Sequence, residues 1–151
     1  MSHSSRTSKT PCIMSSFNFS ILVEVRFRDL DALGHVNNAV YLTYFEIART
    51  HYWKHLFGIQ SFEEFDYLVV RAECNYRSPA LFGEILKVAA RISALKHSSF
   101  VFEYEVTESK SDRLIADGQT VQACFDMKEK KTIPVPGGLR RRVVEFEGLT
   151  E

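Results

Sequence analysis

Apolar and polar positions change period sharply along the chain. The stretch "FNFSILVEVRFR" (17–28) mixes apolar with polar residues in the alternating manner of a strand. Beyond it the period lengthens. Tyr41, Tyr44, Phe45, Ala48, Tyr52 and Leu56 recur at steps of three and four, a continuous apolar stripe on one helix. Val40, Ile47 and His51 widen that stripe to about half the circumference at 100° per residue. Gly58 stands where a left-handed C-terminal cap belongs, so the spacing predicts a helix of about 20 residues, roughly 30 Å long.

The remainder returns to shorter periods. "YLVVRAECNYRSPA", "EILKVAARISALK", "SFVFEYEVTES" and "LIADGQTVQACFDM" read as four strands; "FVFEYEV" alternates apolar residues with Glu. Breaks fall at Ser78, Pro79 and Gly83, at residues 96–98, and at residues 109–112. Such short links favour antiparallel meander pairing, because a parallel crossover needs a dozen or more residues. "KEKK" (128–131) reads as a hairpin or strand-end turn, and "PVPGGLRRRVVEF" as a short helix or strand on the outside. A strand, a long helix and four more strands predict an α+β fold: one five-stranded antiparallel sheet curled around a mostly buried central helix.

Composition narrows the setting. The chain has 151 residues, the size of one domain with a real core. Lys plus Arg number 19 and Asp plus Glu number 19, so no overall basic character points to nucleic acid. No run approaches the roughly 18 apolar residues of a membrane span. Cys12, Cys74 and Cys124 are scattered, with no paired metal-ligand spacing. They read as thiols in a reducing compartment, with cytoplasm as the expected location and no metal or redox cofactor. Residues 1–16 are rich in Ser and Thr, and the first acid in the chain is Glu24. They are expected to form a disordered tail, with Met14 a possible alternative start, ahead of a single domain over 17–151.

The chemistry concentrates at the start of the long helix. "RDLDALGHVNN" places two aspartates, a glycine, a histidine and two asparagines ahead of the apolar stripe. A structural account uses Asn37 as N-cap, Val36 as a staple onto Tyr41, Gly34 for a positive φ, and the aspartates as loop residues favoured by the helix dipole. A functional account uses the same helix start as an oxyanion site. Its unpaired N–H groups and partial positive charge polarise a carbonyl, while an upstream carboxylate attacks or activates water. No G-x-S-x-G elbow and no Cys–His pairing compete with that reading.

The pattern D-x-D-x-x-G-H-V-N-N-A-x-Y-x-x-Y-x-E-x-A-R over residues 29–49 resembles the signature of the hot-dog-fold thioesterases. The 4-hydroxybenzoyl-CoA thioesterase-like branch, with its bacterial acyl-CoA thioesterases, is nearest, and the resemblance extends to about Asp126. It implies hydrolysis of an acyl-CoA thioester, with Asp31 as the catalytic carboxylate, either nucleophile through an anhydride or base for water. It implies that Asn38 offers its backbone N–H to the thioester carbonyl, and that Tyr41 either packs or touches substrate. The stretch also resembles D-x-N-x-H-V-N-N of plant acyl-ACP thioesterases. Asp31 and His35 match that pattern, but Leu33 replaces its asparagine. His35 accordingly either orients water or Asp31, or serves in capping and packing. A sister branch takes its acid from within the helix, where Glu46 stands; the structural alternative for Glu46 is a pair with Arg49 or Thr50.

The resemblance further implies a homodimer or homotetramer with the pantetheine arm between protomers. Phosphates of the carrier are expected near Lys96, His97, Ser98 and Ser99, or near Arg140, Arg141 and Arg142. Acyl carrier protein in place of CoA calls for a broader basic face. A dehydratase and a non-catalytic acyl-CoA-binding module are the other classes; D-x-D argues against the first and retention of Asp31 against the second. Phe27, Tyr44, Phe57, Phe62, Phe65 and Tyr67 are candidates for an apolar or aromatic acyl pocket, with core packing as the alternative.

Overall fold

The structure, a computed structural model, describes residues 17–58 and 66–150. The expected tail with Cys12 and Met14, and the pocket candidates Phe62 and Phe65, lie outside the described residues. The elements run β1 (Ser20–Glu24), a 3-10 turn (Phe27–Asp29), α1 (Val40–Phe57), β2 (Tyr67–Tyr76), β3 (Ile85–Leu95), β4 (Ser99–Glu108), β5 (Leu114–Asp126), β6 (Lys131–Thr132) and α2 (Gly137–Glu147). The α+β architecture of one helix against one antiparallel sheet is as expected. The sheet has six strands rather than five, because the chain beyond the 126–131 turn adds the two-residue β6 to β5.

Strand order is β1-β3-β4-β5-β2. The β3-β4-β5 meander follows from its short links, but β2 does not pair with β3. Residues 77–84 instead cross the end of the sheet past the start of α1. Arg77 and Ser78 donate to the Ile115 carbonyl at 2.8 and 3.1 Å, and Val36 donates to the Ala80 carbonyl at 3.0 Å. This leaves β3 free to pair with β1 from Ser20↔Ala89 to Glu24↔Ile85, and puts β2 on the far edge against β5.

The stripe on α1 is buried as the spacing predicts: Tyr41, Tyr44, Phe45, Ala48, Tyr52 and Leu56 all lie in the core. It widens on the other flank, however. His51 is exposed and Val40 and Ile47 half-buried, while Arg49 and Trp53 are inside. Trp53 meets Phe100 and Phe102 edge-on, and Arg49 Nη1 donates to the Tyr104 hydroxyl at 2.9 Å, so a core hydroxyl accommodates the cation. Phe45 stacks on Tyr104 with centroids 4.3 Å apart. Gly118 makes room for that stack: a Cβ there would collide with the Phe45 ring and the Glu73 carbonyl. At 18 residues the helix spans about 27 Å and ends at Gly58, which is left-handed at φ 60°. The C-terminal segment is helix α2, which buries Leu139 and Val143 and packs against β3 and α1.

Candidate functional site

The two aspartates of D-x-D have opposite surroundings. Asp29 is 2% exposed. Its carboxylate accepts the Arg26 backbone N–H at 2.9 Å, Arg26 Nη2 at 2.9 Å and the buried Tyr44 hydroxyl at 2.9 Å. Burial pushes its carboxyl up, but the bonds from Arg26 and Tyr44 outweigh it and hold the group below the usual carboxylate range. The Asp29 carbonyl accepts the Asn37 N–H at 2.8 Å, which ties the 3-10 turn to the helix start.

Asp31 is exposed and lies at the head of a tight loop. Its N–H donates to the His35 carbonyl at 2.7 Å, and its carbonyl accepts from Gly34, whose φ of 80° closes the turn. Oδ1 accepts the Leu33 and His35 N–H groups at 2.8 and 3.2 Å. Among the described residues Oδ2 has no partner, so one carboxylate oxygen is anchored and the other is free.

The helix start differs from the expected cap. Ala39, not Asn37, is the N-cap residue of α1. Asn37 acts two positions earlier: its Oδ1 accepts the Ala39 N–H at 2.9 Å and its carbonyl accepts the Val40 N–H at 2.9 Å. The Asn38 carbonyl accepts the Tyr76 hydroxyl at 2.8 Å. Among the described residues nothing accepts the Asn38 N–H.

These groups share one cavity of about 350 Å³. Asp31, His35, Asn38 and Tyr41 line it from the helix side, and Tyr76, Arg77, Ser78 and Pro79 from the crossing segment. His35 is half-buried, its backbone bridged to Leu81. Tyr41 is 3% exposed and meets Tyr76 edge-on at 5.3 Å, so it packs and lines the cavity at once. Arg77 is held back by Asp117, with Nε 3.0 Å from Oδ2. None of residues 76–79 stands out as functional in the sequence, where they read only as a strand end and a break. Their place opposite Asp31 depends on β2 lying at the far edge, which no local pattern encodes.

The other candidates lie elsewhere. Glu46 is exposed and outside the cavity. Its expected partner Arg49 is buried against Tyr104, and Glu46 has no ion pair among the described residues. Lys96, His97, Ser98 and Ser99 form the β3–β4 turn, closed by Lys96 N–H to the Ser99 carbonyl at 2.8 Å. The length of β3, about 33 Å, separates that turn from the crossing segment, so one chain does not bring it to Asp31. Arg140 Nη2 donates to the Lys96 carbonyl at 2.6 Å, which joins these two candidate groups. Arg142 Nε instead serves the C-terminal end of α1 at the Leu56 carbonyl, 3.1 Å away, and Arg141 is exposed. The described aromatic candidates do not line one pocket: Phe27 is 79% exposed, Tyr44 is buried on Asp29, and Phe57 and Tyr67 flank Trp53.

Asp31, with one carboxylate oxygen unpartnered among the described residues, and Asn38, whose N–H none of them accepts, thus line one cavity at a helix N-terminus, a constellation suited to attack on a polarised carbonyl. The thioesterase-like superfamily model matches residues 25–143. The long-chain acyl-CoA thioesterase FadM of Escherichia coli K12 is 30% identical over 129 residues, covering 82% of this chain and 96% of that protein. The acyl-CoA thioester hydrolase YbgC of Escherichia coli O6:H1 is 26% identical over 137 residues, covering 89% and 99%. A thioesterase of Thermus thermophilus, solved with coenzyme A and zinc, superposes with a TM-score of 0.80 at 37% identity, covering 91% of this chain and all of that one.

Proposed function

The chain belongs to the thioesterase-like superfamily, and we propose that it hydrolyses acyl-CoA thioesters to the free acid and CoA. Its fold is the hot-dog fold. What supports the reading is the cavity that Asp31 and Asn38 both line. With the thioester carbonyl on that N–H, negative charge developing on its oxygen falls at the positive end of α1. Asp31 attacks the carbonyl carbon, or takes a proton from the water that does. The C–S bond breaks and the sulfur leaves as thiolate, to be protonated as CoA. In the first route water then hydrolyses the acyl-aspartyl anhydride; in the second the acid forms directly. Oδ1, fixed by two backbone N–H groups, sets the direction of Oδ2. His35 orients the water or the carboxylate from the cavity wall.

A second protomer completes the site in this reading. The β2 edge exposes Leu68, Val69 and Val70 at 40%, 46% and 60% beside unpaired backbone groups, a surface that strand pairing between copies would cover. Lys96, His97, Ser98 and Ser99, with Arg140, then serve the CoA phosphates of a ligand whose thioester lies in the other protomer's cavity. Two free thiols, Cys74 and Cys124, suit a cytoplasmic setting. No helix among the described residues is long and apolar enough to cross a membrane.

The test is thiol release from short aliphatic, long aliphatic and aryl CoA thioesters, and from the same acyl groups on acyl carrier protein. Turnover of CoA esters is expected, and the preferred ester names the acyl class. Turnover of carrier-protein esters alone moves the substrate to that carrier. Tight binding of CoA esters without turnover overturns the catalytic reading.

A further inference from the structure

We infer that Tyr76 is a positioning residue for this chemistry: its hydroxyl ties the Asn38 carbonyl across the cavity and so holds residue 38, whose N–H is the proposed carbonyl donor, at a fixed place on the cavity wall. The inference rests on the thioesterase reading of that cavity. Three consecutive peptide groups are pinned around this N–H, each from a different quarter. The Asn37 N–H is held by the Asp29 carbonyl at 2.8 Å and the Asn37 carbonyl by the Val40 N–H at 2.9 Å. In the next peptide, Asn37 Oδ1 holds the Ala39 N–H at 2.9 Å, and Tyr76 holds the Asn38 carbonyl at 2.8 Å. Of these anchors only Tyr76 comes from outside residues 29–40, across the cavity.

Without it the Asn38 carbonyl has no partner among the described residues, the Asn38–Ala39 peptide is held at its N–H alone, and residue 38 can shift and tilt on the cavity wall, carrying its own N–H with it. An N–H donor stabilises an oxyanion only within a narrow geometry, so a small tilt costs rate more than it costs binding. Tyr76 is itself placed by its backbone pairing to Ala116 and by its edge-on contact with Tyr41. It is 52% exposed at the end of an edge strand, so its hydroxyl adds little to global stability. A positioning role and a purely structural role therefore separate cleanly.

The experiment compares Tyr76→Phe with wild type and with Thr132→Val, which removes an exposed hydroxyl from the short outer strand β6. Asn37→Ala, which releases the N–H of the same peptide, is the independent second variant and carries the test if Tyr76→Phe fails to fold. Steady-state hydrolysis of one acyl-CoA and thermal unfolding are measured for each. The carbonyl stretch of benzoyl-CoA is recorded bound to Asp31→Asn, alone and combined with Tyr76→Phe. We expect kcat to fall about ten-fold in Tyr76→Phe with KM within about two-fold and Tm unchanged. The bound carbonyl stretch should move back toward its frequency in free benzoyl-CoA, and Thr132→Val should do neither. Wild-type kcat in Tyr76→Phe, or an unshifted carbonyl stretch, overturns the positioning role while leaving the thioesterase reading intact. An inactive wild type overturns that reading and the positioning role with it.

Discussion

Replacing Asp29 with alanine separates the two aspartates of the helix doorway. The carboxylate is 2% exposed and joins the Arg26 backbone, the Arg26 guanidinium and the Tyr44 hydroxyl. The guanidinium is half in solvent, with 54% of the side chain exposed, so solvent screens its pair and it adds little. The Tyr44 hydroxyl is 1% exposed and loses its acceptor, which costs about 1–3 kcal/mol. With the turn's backbone bond also unmade, Asp29→Ala should destabilise by about 3–4 kcal/mol. Urea unfolding measures it, and a double-mutant cycle with Tyr44→Phe should return a coupling of about 1–2 kcal/mol. The pH dependence has a definite sign. The folded-state pKa of Asp29 lies below its ordinary 3.8, so its stabilisation is present above that value and is lost as pH falls through the folded pKa. The gap between wild type and Asp29→Ala should therefore shrink as pH falls below 3.8. A destabilisation under about 0.5 kcal/mol, or a gap constant with pH, refutes the structural role given to Asp29.

Two further outcomes follow from other parts of the fold. Glu147 meets Tyr52 at 3.2 Å; burial pushes its carboxyl up to about 7, against the opposing effects of Tyr52 and Arg91. Its contribution is complete below the ordinary 4.5 and is lost as pH rises through about 7, so Glu147→Gln should raise Tm by a few degrees at about pH 8 and leave it unchanged at about pH 5; equal shifts at both contradict this. On the β2 edge, Val70→Lys should convert the proposed dimer to monomer in sedimentation at micromolar concentration, and an unchanged assembly state rules out pairing through that strand.

The helix and the strands are legible because their periods are long and unbroken; the stripe from Tyr41 to Leu56 admits little else. Arg49 is the exception. A cation on the buried face breaks the apolar pattern, and the Tyr104 and Tyr67 hydroxyls on distant strands explain its place. The path of β2 is hidden for a related reason: an eight-residue link is compatible with a hairpin or with a crossing of the sheet end, and the contacts to Ile115 and Ala80 decide it. The candidate site is half legible. Asp31, His35, Asn38 and Tyr41 come from one local stretch and meet as the pattern suggests. The opposite wall at residues 76–79 depends on that long-range crossing. The phosphate candidates at the β3–β4 turn show the limit from the other side, since residues of suitable chemistry lie a full strand length from Asp31 within one chain.

The role of Asp31 is tested most directly by kcat/KM for Asp31→Asn and Glu46→Gln on the preferred acyl thioester, with unfolding curves for both. Asp31→Asn should lose at least about 100-fold while keeping wild-type stability, and Glu46→Gln should keep wild-type turnover. Loss of turnover in Glu46→Gln with Asp31→Asn active would contradict that role and move the reacting carboxylate onto the helix.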